Sequence, residues 1–304
     1  MSAQPAALEP LARPNQAAPA ARVVRRPSRV AVFIRQKPLG AFGAALIILF
    51  LVLAIGAQWL APYPYDVGTA ADRLQWPSLA HPFGTDANGR DLLSRIIWGA
   101  RVSVTIGFGA VVISTVIAVV VGVTSGFFGG WVDLSVQRVV DIWISFPALV
   151  LLVSLIAIVG PGLWSTTLVL GILLAPGAAR VVRSAVLGVR FQPYVESARC
   201  LGAGDWRIVL RYVLPNVSAP ILVLATTQLG AAILAESTIA FLGYGVPPPF
   251  PTWGSMLSGT GRAYMLQSPW LGIWPGLAIA GAVFGFNMFG DALRDVLDPR
   301  LRGR

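Results

Sequence analysis

The chain has 304 residues, 56% of them hydrophobic and only 12% charged, and carries a formal net charge of +10 at pH 7. A soluble domain has charge on about a quarter of its residues, so a water-soluble fold of this composition would leave too much hydrocarbon facing solvent, and a membrane class is the first expectation. The basic residues flank apolar segments and do not interleave with exposed aromatics, which argues against a nucleic-acid partner.

Single residues narrow the chemistry further. Cys200 is the only cysteine, His81 the only histidine and Lys37 the only lysine. An intrachain disulfide and a Cys/His zinc site are therefore excluded. No Gly-x-x-x-x-Gly precedes Lys37, so the chain lacks a Walker A phosphate loop and does not hydrolyse ATP by that route. No clustered acids suggest a catalytic pocket, and no catalytic residue, metal ligand or bound cofactor is expected.

Residues 1–38 are rich in Ala, Pro and Arg and lack apolar periodicity, which predicts a basic, mostly disordered tail drawn to anionic lipid. Leu39 to Leu60 reads as an uncleaved span, because its leader and its apolar run both exceed those of a signal peptide. Further apolar stretches cover Val102–Val123, Ile142–Val159, Leu163–Ala179, Ser218–Ala235 and Leu271–Phe289, with the third span starting as early as Leu134 and the fourth crowded by Pro176 and Arg180. Each approaches the ~20 residues that cross a ~30 Å hydrocarbon layer as a helix. Their continuous hydrophobicity excludes a barrel. The predicted fold is thus an all-α membrane protein of six transmembrane helices.

Six spans put both termini on one side. With the amino terminus inside, eighteen Lys and Arg residues lie in the cytoplasm against five outside, namely Arg73, Arg90, Arg95, Arg101 and Arg262. The positive-inside bias predicts cytoplasmic termini. The expected organisation is a tail (1–38), a first helix with an outside segment (39–101), a five-helix core (102–290) containing a cytoplasmic loop (190–216), and a second tail (291–304). In the outside segment, Pro62-Tyr63-Pro64-Tyr65 reads as a stiff interfacial turn. Asp86–Arg101 reads as an amphipathic helix, with Leu92, Leu93, Ile96, Ile97 and Ala100 on one face, resting on the bilayer or the bundle.

The loop between the fourth and fifth spans carries the strongest signal. Pro193 suits a first helical turn. Gly202 or Gly204 can end that helix in the left-handed conformation, and Asp205 can cap a second one. Trp206, Val209, Leu210 and Val213 then recur at i, i+3, i+4 and i+7, and Leu214-Pro215 marks the beginning of the fifth span. A hairpin of small residues with one acid is shaped to dock in a groove of another protein.

This segment resembles the "EAA" loop of binding-protein-dependent ABC import permeases: Glu-Ala-Ala, three residues, Gly, nine residues, Ile, one residue, Leu-Pro. Glu196, Ala198, Gly202, Leu214 and Pro215 match at the required spacing, while Ser197 replaces an Ala and Tyr212 stands at the Ile position. Other stretches resemble the second permease of the dipeptide/oligopeptide/nickel branch. They are His81-Pro82-Phe83-Gly84-Thr85-Asp86 with Gly89-Arg90-Asp91, Gly129-Gly130-Trp131-Val132-Asp133, Pro215-Asn216, Phe241-Leu242-Gly243 with Trp253-Gly254, Gly290 to Asp295, and Leu297-Asp298-Pro299-Arg300. The resemblance covers about residues 38–302.

The resemblance implies a translocation subunit in a bacterial inner membrane. It would pair with a homologous permease, two ABC ATPases that hold ATP and magnesium, and an extracytoplasmic solute-binding protein, and would carry di- or oligopeptides. Glutathione and nickel complexes are alternative cargoes. A self-sufficient secondary transporter is the rival from another class; it requires midplane ionisable groups and interrupted repeats.

Among single residues, Asp141 is expected to pair with Arg138 at i, i+3, with a gating role as the alternative. Arg180 and Arg183 are expected to meet lipid headgroups. Thr226, Thr227 and Gln228 either line the translocation path or bond neighbouring helices. Glu236, near the outer end of its span, either serves the path or bonds adjacent hydroxyls. Gly107, Gly109, Gly122, Gly276, Gly281 and Gly285 are expected at close helix contacts.

Overall fold

A computed structural model describes residues 29–297. The expectations for residues 1–28 and for Asp298-Pro299-Arg300 lie outside the described residues. Two helices open the chain, α1 (Arg29–Gln36) and α2 (Pro38–Ile55), with one further turn, α3 (Ala57–Leu60), beyond Gly56. The part of the predicted tail just before Lys37 is therefore helical. Next come α4 (Leu92–Phe128), α5 (Gly130–Ser145), α6 (Ala148–Val159) and α7 (Leu163–Val189). The hairpin is α8 (Pro193–Cys200) and α9 (Asp205–Ile208), followed by a π-helical turn at Val209–Val213 and α10 (Leu214–Phe241). Two short helices, α11 (Trp253–Met256) and α12 (Gly259–Tyr264), precede α13 (Trp270–Leu297). Among the described residues the only β pairing is one isolated bridge, Thr85 to Asp91.

Five helices are long and apolar enough to cross a membrane, and the bent pair α5–α6, taken as one span, brings the number to the predicted six. Four boundaries differ. The expected surface helix Asp86–Arg101 is not separate: α4 runs unbroken from Leu92 through the second span. Asp91 sets its start, because its carboxylate accepts bonds from the Ser94 amide and hydroxyl, both at 2.7 Å. Asp86 to Arg90 instead form a tight loop, in which Asp86 accepts from the Arg90 guanidinium at 2.8 Å and pairs with Arg95 at 3.5 Å. These pairings allow Arg95 to be 7% exposed, so the charges that looked interfacial are internal.

The third span is not straight. α5 and α6 meet at 91°. Pro147 forces Phe146 into an extended conformation (ψ 141°) and so breaks the helix before it. The fourth span continues past Arg180 to Val189 although Pro176 lies inside it. The sixth continues to Leu297, so the expected tail from residue 291 begins as helix.

Small residues bring the helices together. At Gly122 of α4 a methyl group would meet the Ala179 carbonyl of α7 at 2.6 Å, and at Gly43 of α2 it would meet the Gly285 carbonyl of α13 at 2.7 Å. Lipid tails supply no hydrophobic drive between helices, so this close backbone approach is what holds such seams. Gly107, Gly109, Gly122, Gly281 and Gly285 sit at contacts as expected; Gly276 does not, having open space where a side chain would go.

The end remote from the hairpin is closed by polar loop contacts. The Trp253 indole, fully buried, donates to the Ile96 carbonyl at 3.1 Å, and the Trp270 indole donates to the Thr85 carbonyl at 3.2 Å. Phe83 stacks on Trp274 with ring centroids 4.0 Å apart. The His81–Asp91 stretch is thus a docking knot on α13, a role its sequence did not reveal.

Candidate functional site

The hairpin is built around one glycine. Gly202 has φ of +80°, a left-handed conformation that other residues enter at a cost. Its amide donates to the Arg199 carbonyl and the Ala203 amide to the Ala198 carbonyl, both at 3.0 Å. That pattern is a Schellman ending for α8 and satisfies carbonyls otherwise left bare. Gly204, with φ of −67°, caps the next helix through its backbone alone. Asp205 is consequently the first residue of α9 and not its cap; its acid sits where the positive end of the helix dipole favours it.

Two faces of the hairpin separate cleanly. Val195, Ala198, Ile208, Val209 and Val213 are buried against Val123 and Phe127 of α4 and Val182 and Val186 of α7. Glu196, Ser197, Arg199, Cys200, Leu201, Asp205 and Trp206 face outward. The predicted apolar face is corrected: Trp206 and Leu210 are 62% and 61% exposed, and Ile208 takes the inner position. The physical reason is the wide turn at Val209–Val213. Pro215 has no amide to offer the Arg211 carbonyl and its ring crowds that carbonyl, so the helix widens and its register shifts. The second hairpin helix and the fifth span accordingly form one helix from Asp205 to Phe241. Leu214 is half-buried on its inner side, and Pro215 is exposed at the widening.

The outer surface therefore combines the Glu196 carboxylate with exposed apolar groups, Leu201, Leu210 and Trp206, the last meeting Phe128 edge-on at 6.0 Å between ring centroids. Leu201, at the tip, is 88% exposed. Such a patch, on a hairpin fixed rigidly to two spans, is what a protein–protein contact requires.

The polar residues of α10 do not converge on one site. Thr226 and Thr227 bond carbonyls of their own helix and pack against Gly290 of α13. Thr227 also lines a cleft of about 600 Å³ with Asn216, Asp291 and Arg294. Gln228 reaches Ser114 of α4 and the Leu174 carbonyl of α7, each at 3.4 Å, and so bonds neighbouring helices. Glu236 is fully buried at the far end, with the Ser237 hydroxyl 3.4 Å from one carboxyl oxygen.

Two arginines and two acids form pairs the sequence did not suggest. Asp141 pairs with Arg180, and not with Arg138. Arg183 grips Asp133 in a bidentate contact, donating from Nε and Nη2 to the two carboxylate oxygens, one bond being 2.6 Å. Arg183 is thereby engaged inside the bundle, whereas Arg180, though paired, stays 45% exposed. Ion partners 39 and 50 residues apart leave no periodic trace in a sequence.

Five long apolar helices and one bent helix pair, with a capped hairpin at one end, define a polytopic α-helical membrane protein. The family described as "Binding-protein-dependent transport system inner membrane component" matches residues 118–303, and "N-terminal TM domain of oligopeptide transport permease C" matches residues 33–80. The dipeptide transport system permease protein DppC of Alkalihalophilus pseudofirmus is 38% identical over 88% of each chain. The glutathione transport system permease protein GsiD of Pectobacterium atrosepticum is 38% identical over 89% of each. A putative peptide transport system permease protein of Brucella suis is 40% identical over 86% of this chain and 87% of its own. In fold, the chain is similar to the MetNI methionine ABC transporter in its inward-facing conformation, with a TM-score of 0.57 at 22% identity over 68% of this chain and 98% of that one. The chain belongs to the binding-protein-dependent transport system inner membrane component family. It is a multi-pass permease subunit of a bacterial ABC importer.

Proposed function

We propose that this permease carries short peptides into the cell and is driven through its hairpin by separate ATPase subunits. The observation that carries this reading is the rigid, outward-facing hairpin of Pro193–Val213. Its Glu196, Gly202 and Pro215 stand at the spacing of an ATPase-coupling loop, and its inner face is welded to α4 and α7. A groove on the ATPase would take α8 with Glu196, Ser197 and the Leu201 tip, while Ala198, Asp205, Leu214 and Pro215 shape the hairpin behind them. The basic residues that flank the hairpin support a cytoplasmic location, which also puts both termini inside.

The assembly has four further subunits: a homologous permease, two ABC ATPases that hold ATP and magnesium, and an extracytoplasmic binding protein that selects the solute. Short peptides fit the cargo named for the relatives, since glutathione is itself a tripeptide. Thr227, with Asp291 and Arg294, gives the inner cleft groups that suit both charged ends of a peptide. Thr226, Gln228 and Glu236 hold α10 in place.

The test is reconstitution. The chain purified with its permease partner and Walker-motif ATPases should accumulate a radiolabelled dipeptide in proteoliposomes only when ATP and the binding protein are both supplied. Uptake by the lone chain driven by a proton or sodium gradient would replace this reading with a secondary transporter.

A further inference from the structure

The run Gly129-Gly130-Trp131-Val132-Asp133 has no part in the hairpin, yet it opens the one span that is bent. Helix α5 is hinged at both ends. Gly129 and Gly130 have φ of +65° and +53°, and Phe146-Pro147 marks the 91° turn into α6. Along its length α5 touches only α4 and α7 closely, and its other side is bare: Trp131, Val139 and Ile142 are 83%, 66% and 62% exposed. A helix so weakly packed between two hinges is free to swing unless something holds it.

What holds it is polar. Arg183 of α7 binds both oxygens of Asp133, with Nε at 2.6 Å from Oδ1. The Ser125 hydroxyl of α4 bonds the same carboxylate, and Gln137 of α5 donates to Ser125 at 3.0 Å. Arg180 grips Asp141 two turns further along α5. Asp133 and Arg183 are 19% and 29% exposed, so the bidentate pair is shielded enough to be strong and specific in geometry.

The same stretch of α7 carries the hairpin. Val182 and Val186 bracket Arg183 in sequence and form the wall against which Val195, Ala198 and Val209 pack. Arg190, three residues before Pro193, donates to the Gly126 carbonyl of α4 at 2.8 Å. A displacement of the hairpin must move this end of α7, and Arg183, one turn nearer the hairpin than the Arg180–Asp141 pair, is the polar link from there to the start of α5.

We infer that the Asp133–Arg183 clasp is a positioning pair, which transmits movement of the hairpin to the hinged helix α5 during transport. The inference rests on the coupling role proposed for the hairpin, but its structural half can be tested without any partner. Cys200, the only cysteine and exposed on the hairpin, takes one spin label, and Ile142→Cys takes the other. In the chain alone in lipid nanodiscs, the distance distribution should be narrow. Adding Asp133→Ala should broaden it or add a second distance, and the exchange Asp133→Arg with Arg183→Asp should narrow it again.

The second arm uses the reconstituted importer with a radiolabelled dipeptide. Asp133→Ala should leave assembly and basal ATP hydrolysis in place while uptake per ATP falls about tenfold, and the charge exchange should recover most of it. Should Asp133→Ala not yield folded protein, Asp133→Asn, of equal size, takes its place in both arms. Unchanged distances together with unchanged uptake per ATP would overturn the inference, as would a folded charge exchange that behaves like the broken pair. A parent chain that never assembles with an ATPase would instead refute the hairpin's role, and the distance arm would still judge the clasp.

Discussion

Replacing Gly202 by alanine, with Gly204 replaced in parallel, separates backbone conformation from crowding. At both positions an added methyl group would meet nothing within 4 Å, so sterics against the rest of the chain are equal. The dihedrals differ, with φ +80° at Gly202 and −67° at Gly204, and Gly204 is also the N-cap of α9, where alanine is poorer than glycine and offsets part of any gain. A non-glycine residue held in the left-handed region costs about 1–2 kcal/mol. At a compatible dihedral the same change stabilises by about 0.4–1 kcal/mol, because the unfolded chain loses freedom. Gly202→Ala should therefore raise the open fraction of the hairpin about 5- to 30-fold, and Gly204→Ala should leave it unchanged or lower it. Hydrogen exchange over residues 193–213 reads this directly through the Gly202 and Ala203 amides, which close the α8 turn at 3.0 Å. Equal exchange in the two variants would refute the claim that a left-handed turn at Gly202 sets the hairpin.

Four further changes test the scaffold by thermal unfolding in nanodiscs. Asp91→Ala removes the cap of α4 and strands His81, whose ring nitrogen lies 2.9 Å from that carboxylate, and should cost about 1–3 kcal/mol. Trp253→Phe deletes the 3.1 Å bond to the Ile96 carbonyl in a fully buried site and should cost a similar amount, with the hairpin's exchange unaffected. Gly43→Val drives a side chain into the Gly285 carbonyl and should cost about 1–3 kcal/mol or more, whereas Gly276→Ala, with open space beside it, should be neutral or stabilising. Similar losses at Gly43 and Gly276 would contradict the account of the α2–α13 seam.

Much of this architecture is legible from residue order because the membrane imposes it. Spans of about 20 apolar residues must be helices, and the hairpin's glycine and proline punctuation is local. What escaped depends on partners distant in sequence. The burial of Arg95 was not legible because its partners, the Asp86 carboxylate and the Tyr65 carbonyl, come from a loop with no periodicity. Arg183 looked like a headgroup ligand because Asp133 lies on another span. Proline effects were only partly legible: Pro176 crowds its span without ending α7, while the 91° turn at Pro147 and the widening before Pro215 were not anticipated. Of the hairpin residues, the left-handed helix end was expected at Gly202 or Gly204 and lies at Gly202, whereas Asp205 was assigned a cap that the Gly204 backbone supplies. The four polar residues of α10 share a helix but not a surface, which their spacing alone did not disclose.

The central claim is that a nucleotide-hydrolysing partner grips the outer face of the hairpin, and Cys200 allows this to be measured with the natural sequence. A membrane-impermeant maleimide should leave Cys200 unlabelled in intact cells and label it in inside-out vesicles, and a bifunctional maleimide in those vesicles should join it to an ATPase subunit. Labelling in intact cells, or an accessible Cys200 that never joins an ATPase in vesicles transporting peptide, would contradict the account.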